Sequence, residues 1–246
     1  MLELQNLTKV YPNGNKSAVD NLNLRVESGE IFGFLGPNGA GKSTTIKMIV
    51  SLLSPTSGEI FVDGKSLSAS AMEVKKLIGY VSDDHAVPVK LTGREYLDFL
   101  GTMYDVPVEE RQRQAEKYLK LFGLTEAVDS PIKTYSHGMK QKIVIVGSLL
   151  HNPKLWVLDE PMTGLDPQSS YNLKQIMRER ADMGNTVFFS SHVIDVVEKV
   201  CDRVAIIDNG RLMAVDKLDA IRANNDVSLE QIFLTLTAHG EEVKND

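Results

Sequence analysis

Nine consecutive residues constrain this chain more than any others: Gly36-Pro37-Asn38-Gly39-Ala40-Gly41-Lys42-Ser43-Thr44. They satisfy the spacing G-x-x-x-x-G-K-[ST], in which glycines let backbone N–H groups turn inward and approach a polyphosphate closely. The setting matches the motif. An apolar run, Ile31 to Leu35, predicts a buried strand leading in. Thr45 to Leu53 predicts a helix leading out, whose N-terminus favours negative charge. In this pattern Lys42 reaches the β- and γ-phosphates and the Ser43 hydroxyl ligates Mg²⁺. The bland alternative is a glycine turn that a lysine happens to follow. Average composition makes such a match a chance on the order of one in a hundred for a chain of this length.

Composition narrows the partners. The 246 residues suffice for one large domain, or one domain with a sub-lobe, and 42% hydrophobic with 24% charged residues is the make-up of an ordinary soluble protein. The net charge of −6, without a run of five Lys/Arg, disfavours a nucleic-acid partner. A single cysteine, Cys201, excludes an intrachain disulfide and a Cys-rich zinc site and suits a reducing compartment. Its simplest role is a small buried apolar residue. The first residues, Met1-Leu2-Glu3-Leu4-Gln5, lack the basic and apolar blocks of a secretory leader. Ile143 to Leu150 is the longest near-apolar stretch and is far too short to span a bilayer, so a membrane role requires a partner.

The first thirty residues read as short strands, with Leu22, Leu24 and Val26 alternating with polar residues and a turn expected at Pro12-Asn13-Gly14. Tyr11 beside that turn reads as a half-exposed strand aromatic or as a platform for an adenine ring. Ser57 to Gly64 ends in Asp-Gly, a hairpin signal, and Lys75 to Tyr80 leads as a short strand into Val81-Ser82-Asp83-Asp84. From Leu91 to about Asp129 the pattern turns helical. Thr92 and Glu95 form a capping box before Tyr96, Phe99, Leu100 and Met103, and a second helix from Glu109 to Phe122 stops at Gly123. Tyr135-Ser136-His137-Gly138-Met139 opens a further helix, whose N-terminus with a serine is either a cap or an anion site.

Leu155 to Glu160 is an apolar strand that ends in two carboxylates, which are costly there unless they meet a cation or water. Beside a phosphate loop, Asp159 is the natural Mg²⁺ partner and Glu160 is placed to polarise an attacking water. Thr163-Gly164-Leu165-Asp166 precedes a helix from about Pro167 to Met183, and Val187 to His192 is another strand with a polar end. Strands ending at Leu35, Val81, Glu160 and His192 all release polar residues from one edge, where open α/β sheets bind ligands. That edge makes His192 a γ-phosphate contact rather than a structural hydrogen bonder. In the tail, Asn209-Gly210 marks a hairpin, and Ser228 with Gln231 caps a short amphipathic helix that packs on the domain or meets a partner.

Taken together, these motifs resemble the ATP-binding cassette (ABC) ATPases over roughly residues 1–215, with Ser136-His137-Gly138-Met139 as signature, Asp166 in the D-loop and His192 as switch histidine. The resemblance implies an α/β fold: a P-loop NTPase core, an N-terminal antiparallel β subdomain and an inserted α-helical subdomain. The expected division of 1–246 is 1–83 and 151–215 for the core with its β subdomain, 84–150 for the helices and 216–246 for a tail. It implies ATP and Mg²⁺ as cofactors, with the loop Gly36 to Thr44 and Tyr11, the latter stacking on adenine, as nucleotide contacts. Ser43 and Asp159 would hold the metal, and Lys42, Glu160 and His192 would be catalytic. Ser136 and Gly138 would touch the γ-phosphate of a nucleotide held by an opposite subunit, with Asp166 beside it. Asp83 stands where the family usually has Gln, a possible weak metal contact. His137 and Met139 replace the commoner Gly and Gln. The implied partners are a second cassette, identical or related, and separate integral membrane subunits. The chain would then be cytoplasmic and peripheral on the inner face of the cell membrane, powering transport, in the export direction by its compact length and tail. A soluble non-transport ATPase acting on nucleic acid or ribosomes is the rival reading, and a nucleotide sensor without turnover is a third.

Overall fold

A computed structural model describes residues 1–12, 16–84, 87–218, 220 and 228–237. The turn expected at Pro12-Asn13-Gly14 lies, from Asn13 on, outside the described residues, as does much of the tail.

Two sheets organise the molecule. A four-stranded antiparallel sheet has the order β2-β1-β4-β5, from β1 (Leu2–Val10), β2 (Ser17–Val26), β4 (Ser57–Val62) and β5 (Lys65–Ser66). A six-stranded sheet has the order β10-β9-β3-β8-β7-β6. In it β3 (Ile31–Leu35), β6 (Ile78–Val81), β7 (Leu155–Asp159), β8 (Thr186–Ser191) and β9 (Arg203–Asp208) run parallel, and β10 (Arg211–Lys217) returns antiparallel. Every residue of β3, β7 and β8 is buried, the mark of parallel strands covered on both faces. Side chains alternate between two cores. Phe32, Phe34 and Phe188 stack toward the antiparallel sheet, while Trp156, Leu158 and Phe189 face the helices.

The helical layer comprises α3 (Gly93–Met103), α4 (Val108–Leu121) and α5 (His137–Leu149). The Thr92–Glu95 capping box forms in both directions, Glu95 N to Thr92 Oγ1 at 3.1 Å and Thr92 N to Glu95 Oε2 at 2.8 Å. Gly123 follows α4 in the left-handed region, as its stop signal requires. The layer is anchored where α5 ends. Trp156 Nε1 donates to Ser148 Oγ, and His151 stacks on Tyr104 at 3.8 Å with Nε2 3.0 Å from the Ile78 carbonyl. Burial in that stack pushes the His151 pKa down to about 4.

The helix after the phosphate loop is α1 (Lys42–Ile49), three residues earlier than expected at each end or more. It begins inside the motif because Gly41 supplies the left-handed cap, and it stops because Ser51 turns left-handed while Leu52 and Leu53 donate back to the Lys47 carbonyl. The strand expected at Lys75 to Tyr80 is displaced as well: Lys75 ends a short helix, α2 (Ala71–Lys75), and the strand is Ile78–Val81. Beyond α6 (Pro167–Asp182), α7 (Ile194–Val200) lies on β3 at Gly33, where a Cβ would sit 2.9 Å from Val197 and 3.0 Å from the buried Cys201 sulfur. In the tail, α8 (Leu229–Thr237) starts at the expected Ser228–Gln231 box and packs Leu229, Ile232, Phe233 and Leu236 against the core.

Candidate active site

The loop from Gly36 to Gly41 joins a fully buried strand to a helix and is pinned from behind. A Cβ at Gly36 would lie 2.4 Å from the Ile207 carbonyl oxygen, and one at Gly41 would lie 2.5 Å from that of Ala18. Gly41 also has φ of 105°, so both approach and conformation demand glycine there. The turn between β9 and β10 locks the loop from the side: Gly210 N donates to Ala40 O at 2.9 Å, and Asp20 N to Gly210 O at 2.8 Å. No side chain caps α1, so its first N–H groups face the loop's concavity. Lys42 is buried and curls over the loop, donating through Nζ to the carbonyls of Gly36 at 2.7 Å and Pro37 at 3.1 Å. Burial lowers its pKa, and the carboxylates of Glu160 and Asp159 work against that shift.

Those carboxylates end β7: Glu160 lines the cavity, and Asp159 lies buried just before it, outside the lining residues. Asp159 is fully buried; its Oδ1 accepts from Ser190 Oγ at 2.6 Å, while Oδ2 is buried with no hydrogen-bond partner among the described residues. Its pKa is raised, first by burial and also by the charges of Asp83 and Glu160, against the hydroxyls of Ser190 and Ser43. A buried carboxylate oxygen without a donor, beside a serine hydroxyl, is a donor set that fits a hard divalent cation. Among the described residues no three His, Cys, Asp or Glu side chains form such a site on their own.

Glu160 leaves the strand with φ of 48°, a left-handed backbone that a side-chain-bearing residue adopts at a cost. Its amide donates to Ser190 Oγ at 3.2 Å, and its Oε1 lies 2.9 Å from His192 Nδ1. One cavity of about 310 Å³ gathers the phosphate loop, Asp83, Glu160 and His192, with Ala18 on its wall. Tyr11 is not among the lining residues; its hydroxyl is 3.5 Å from Oγ1 of Thr44, which is, and Lys9 Nζ lies 5.6 Å from its ring.

Ser136, Gly138 and Asp166 do not line this cavity. Ser136 caps α5 by accepting from Met139 N at 3.2 Å. Asp166 caps α6 by accepting from Ser169 and also pairs with Lys142 at 2.7 Å, which hold its carboxyl far below the usual range. The two motifs touch each other. A Cβ on Gly138 would sit 2.7 Å from the Gly164 oxygen, and Gln141 donates to the Pro161 carbonyl at 2.8 Å. Sequence reasoning passed over Ser190, Gln141 and Lys142. The only signal for Ser190 was a hydroxyl at the polar end of the strand that runs to His192.

A family model described as ABC transporter matches residues 19–163, more than half of the chain. The chain belongs to the ABC transporter family, and it is an ATP-hydrolysing cassette with the P-loop NTPase fold. Among curated proteins it is similar to the linearmycin resistance ATP-binding protein LnrL of Bacillus subtilis, 40% identical over 87% of this chain and 68% of that protein. The daunorubicin/doxorubicin resistance ATP-binding protein DrrA of Streptomyces peucetius is 39% identical over 87% of this chain and 64% of its own length. The chain thus spans about two thirds of these relatives. Among solved structures, an ATP binding subunit of an ABC transporter superposes with a TM-score of 0.90 at 32% identity, covering 96% of this chain and 99% of the other. A dimeric, post-hydrolysis state of the cassette MJ0796 bound to ADP and Pi gives 0.81 at 28% identity, covering 89% and 99%.

Proposed function

We propose that this cassette binds ATP with Mg²⁺ between its phosphate loop and strand-end carboxylates, and powers export through separate membrane subunits as one of two paired cassettes. The observation that carries the reading is the Glu160–His192 pair, held 2.9 Å apart across the cavity from a buried Lys42. Loop N–H groups and Lys42 hold the phosphates, and Tyr11 stacks on the adenine. Ser43 and Asp159 would hold the metal, which supplies charge neutralisation at the phosphate oxygens when bound. Glu160 accepts a hydrogen bond from water and polarises it for attack on the γ-phosphorus. His192 fixes that carboxylate through Nδ1; as an imidazolium, which has two N–H donors, it would also donate through its second ring nitrogen to a γ-phosphate oxygen. Ser136 and Gly138, outside the cavity, suit the nucleotide of a second cassette, and a dimeric neighbour supports that pairing.

Export is supported by relatives named for antibiotic resistance. Among the described residues no helix is long and apolar enough to cross a membrane; the peripheral place and the membrane subunits rest on the transporter ATP-binding proteins the chain resembles. Glu160→Gln tests the chemistry: it should keep MgATP binding and lower turnover by on the order of a hundredfold or more. The variant should also dimerise more readily with ATP, since it cannot hydrolyse its way open. Near-normal turnover would sink the assignment. Recovery of ribosomes rather than membrane subunits with the native chain would overturn the transport reading.

A further inference from the structure

We propose that Ser190 is a positioning residue for hydrolysis, using one hydroxyl to fix the two carboxylates of the site relative to each other. The inference rests on the roles proposed above for Asp159 and Glu160, and adds a residue that those roles do not name.

Ser190 lies in the central strand β8, opposite Phe34 of β3 on one side and Asp159 of β7 on the other, and is fully buried. A hydroxyl in such a place needs partners, because water cannot reach it. It has two. It donates to Asp159 Oδ1 at 2.6 Å and accepts from the Glu160 amide at 3.2 Å. The two bonds are linked, since a hydroxyl has a single proton: giving it to Asp159 turns the lone pairs toward Glu160.

Each bond has a consequence. The first occupies one oxygen of Asp159 and leaves Oδ2, buried and without a partner among the described residues, as the oxygen for a cation. The second supplies an acceptor just where β7 ends and Glu160 turns left-handed at φ 48°. Without it that amide would leave the ladder unsatisfied, and an extended backbone at Glu160 would swing its side chain away from His192. The hydroxyl therefore sets both which Asp159 oxygen faces the metal and which way Glu160 points.

Ser190→Ala removes the hydroxyl with almost no change of volume. It should lower kcat by on the order of ten- to a hundredfold while the affinity for metal-free ATP stays within about twofold, because the phosphate loop is untouched. Ser190→Thr, which keeps the hydroxyl on a strand-compatible side chain, should restore most of the loss. Adding Ser190→Ala to Glu160→Gln should lower the residual turnover little further, since both changes act through one group. Binding of a fluorescent ATP analogue gives a readout apart from turnover: its affinity in EDTA should be unchanged, and the gain on adding Mg²⁺ should shrink several-fold in Ser190→Ala. Full turnover in Ser190→Ala beside an inactive Glu160→Gln would overturn this proposal alone. Full turnover in Glu160→Gln would remove the catalytic reading and this proposal with it. Equal losses of kcat, metal-free ATP affinity and melting temperature would mean that the hydroxyl is merely structural, and would overturn it too.

Discussion

Two helix N-termini in this molecule carry the motifs of phosphate recognition, and they are built in opposite ways. At α1 the first turn has no side-chain cap, begins on a left-handed glycine, and opens into a cavity that the same chain completes with Asp83, Glu160 and His192. At α5 the first turn is capped by its own Ser136 and lies outside that cavity, against the loop from Pro161 to Asp166. An uncapped N-terminus leaves its donors for a ligand; a capped one has already used one of them. On the function proposed above, the first is a whole binding site and the second is half of one, whose missing half must come from another molecule.

Ser136→Asp is the sharpest way to break that comparison. Aspartate caps a helix as well as serine does, so α5 should keep its fold. It also puts a negative charge where a partner's γ-phosphate would sit. Turnover should fall by on the order of a hundredfold, about 2.7 kcal/mol of barrier. The affinity of the isolated chain for ATP should not change. Equal weakening of nucleotide binding by the monomer would mean that the two termini serve one pocket after all.

A smaller effect should follow from loosening the bond between the regions. Lys142 on α5 pairs with Asp166, and Gln141 holds the carbonyl of Pro161, the residue next to Glu160. Lys142→Met keeps the aliphatic stem and removes the charge, so Asp166 loses its ion pair with α5 while the Gln141–Pro161 bond remains. We expect turnover to drop by about tenfold, Lys142→Arg to recover most of it, and monomer nucleotide affinity to stay unchanged. Steady-state ATPase assays with nucleotide titration on the three forms would decide. Unimpaired turnover in Lys142→Met would make the pair an ordinary surface bridge.

How much of this could be read in advance follows from distance along the chain. The phosphate loop is nine adjacent residues, and the carboxylates and His192 close the ends of apolar runs, so one strip of sequence reveals each. Both capping boxes and the two Asn-Gly and Asp-Gly hairpins are equally local, and they form. Ser190 was hidden because its meaning depends on β8 lying beside β7, a pairing across 31 positions. Lys142 was hidden for the same reason, since its partner Asp166 lies in a different element, at the start of α6. The short helices α2 and α7 escaped notice because neither has a side-chain cap to announce it and neither is long enough to show a helical period.

The smallest expected effect belongs to Asp83, the residue of the cavity wall that stands where the resemblance implies a Gln. It follows β6, is exposed, and its charge adds to burial in raising the pKa of Asp159. A third carboxylate near a triphosphate adds repulsion, and only close approach to the cation would offset it. At a water-exposed position a unit charge about 4 Å away is worth about 1 kcal/mol, and less as the separation grows. The side chain is one methylene shorter than Gln, so contact through water is the stronger expectation, and there repulsion wins narrowly. Asp83→Gln should therefore leave MgATP affinity unchanged or slightly improved. Turnover should fall by less than about tenfold, below roughly 1.4 kcal/mol of barrier. Nucleotide titration and steady-state ATPase measurements on both forms at several Mg²⁺ concentrations check this. If Asp83→Gln weakened MgATP binding tenfold and excess Mg²⁺ restored it, Asp83 would be a direct metal ligand, and the cavity would hold its cation with two carboxylates rather than one.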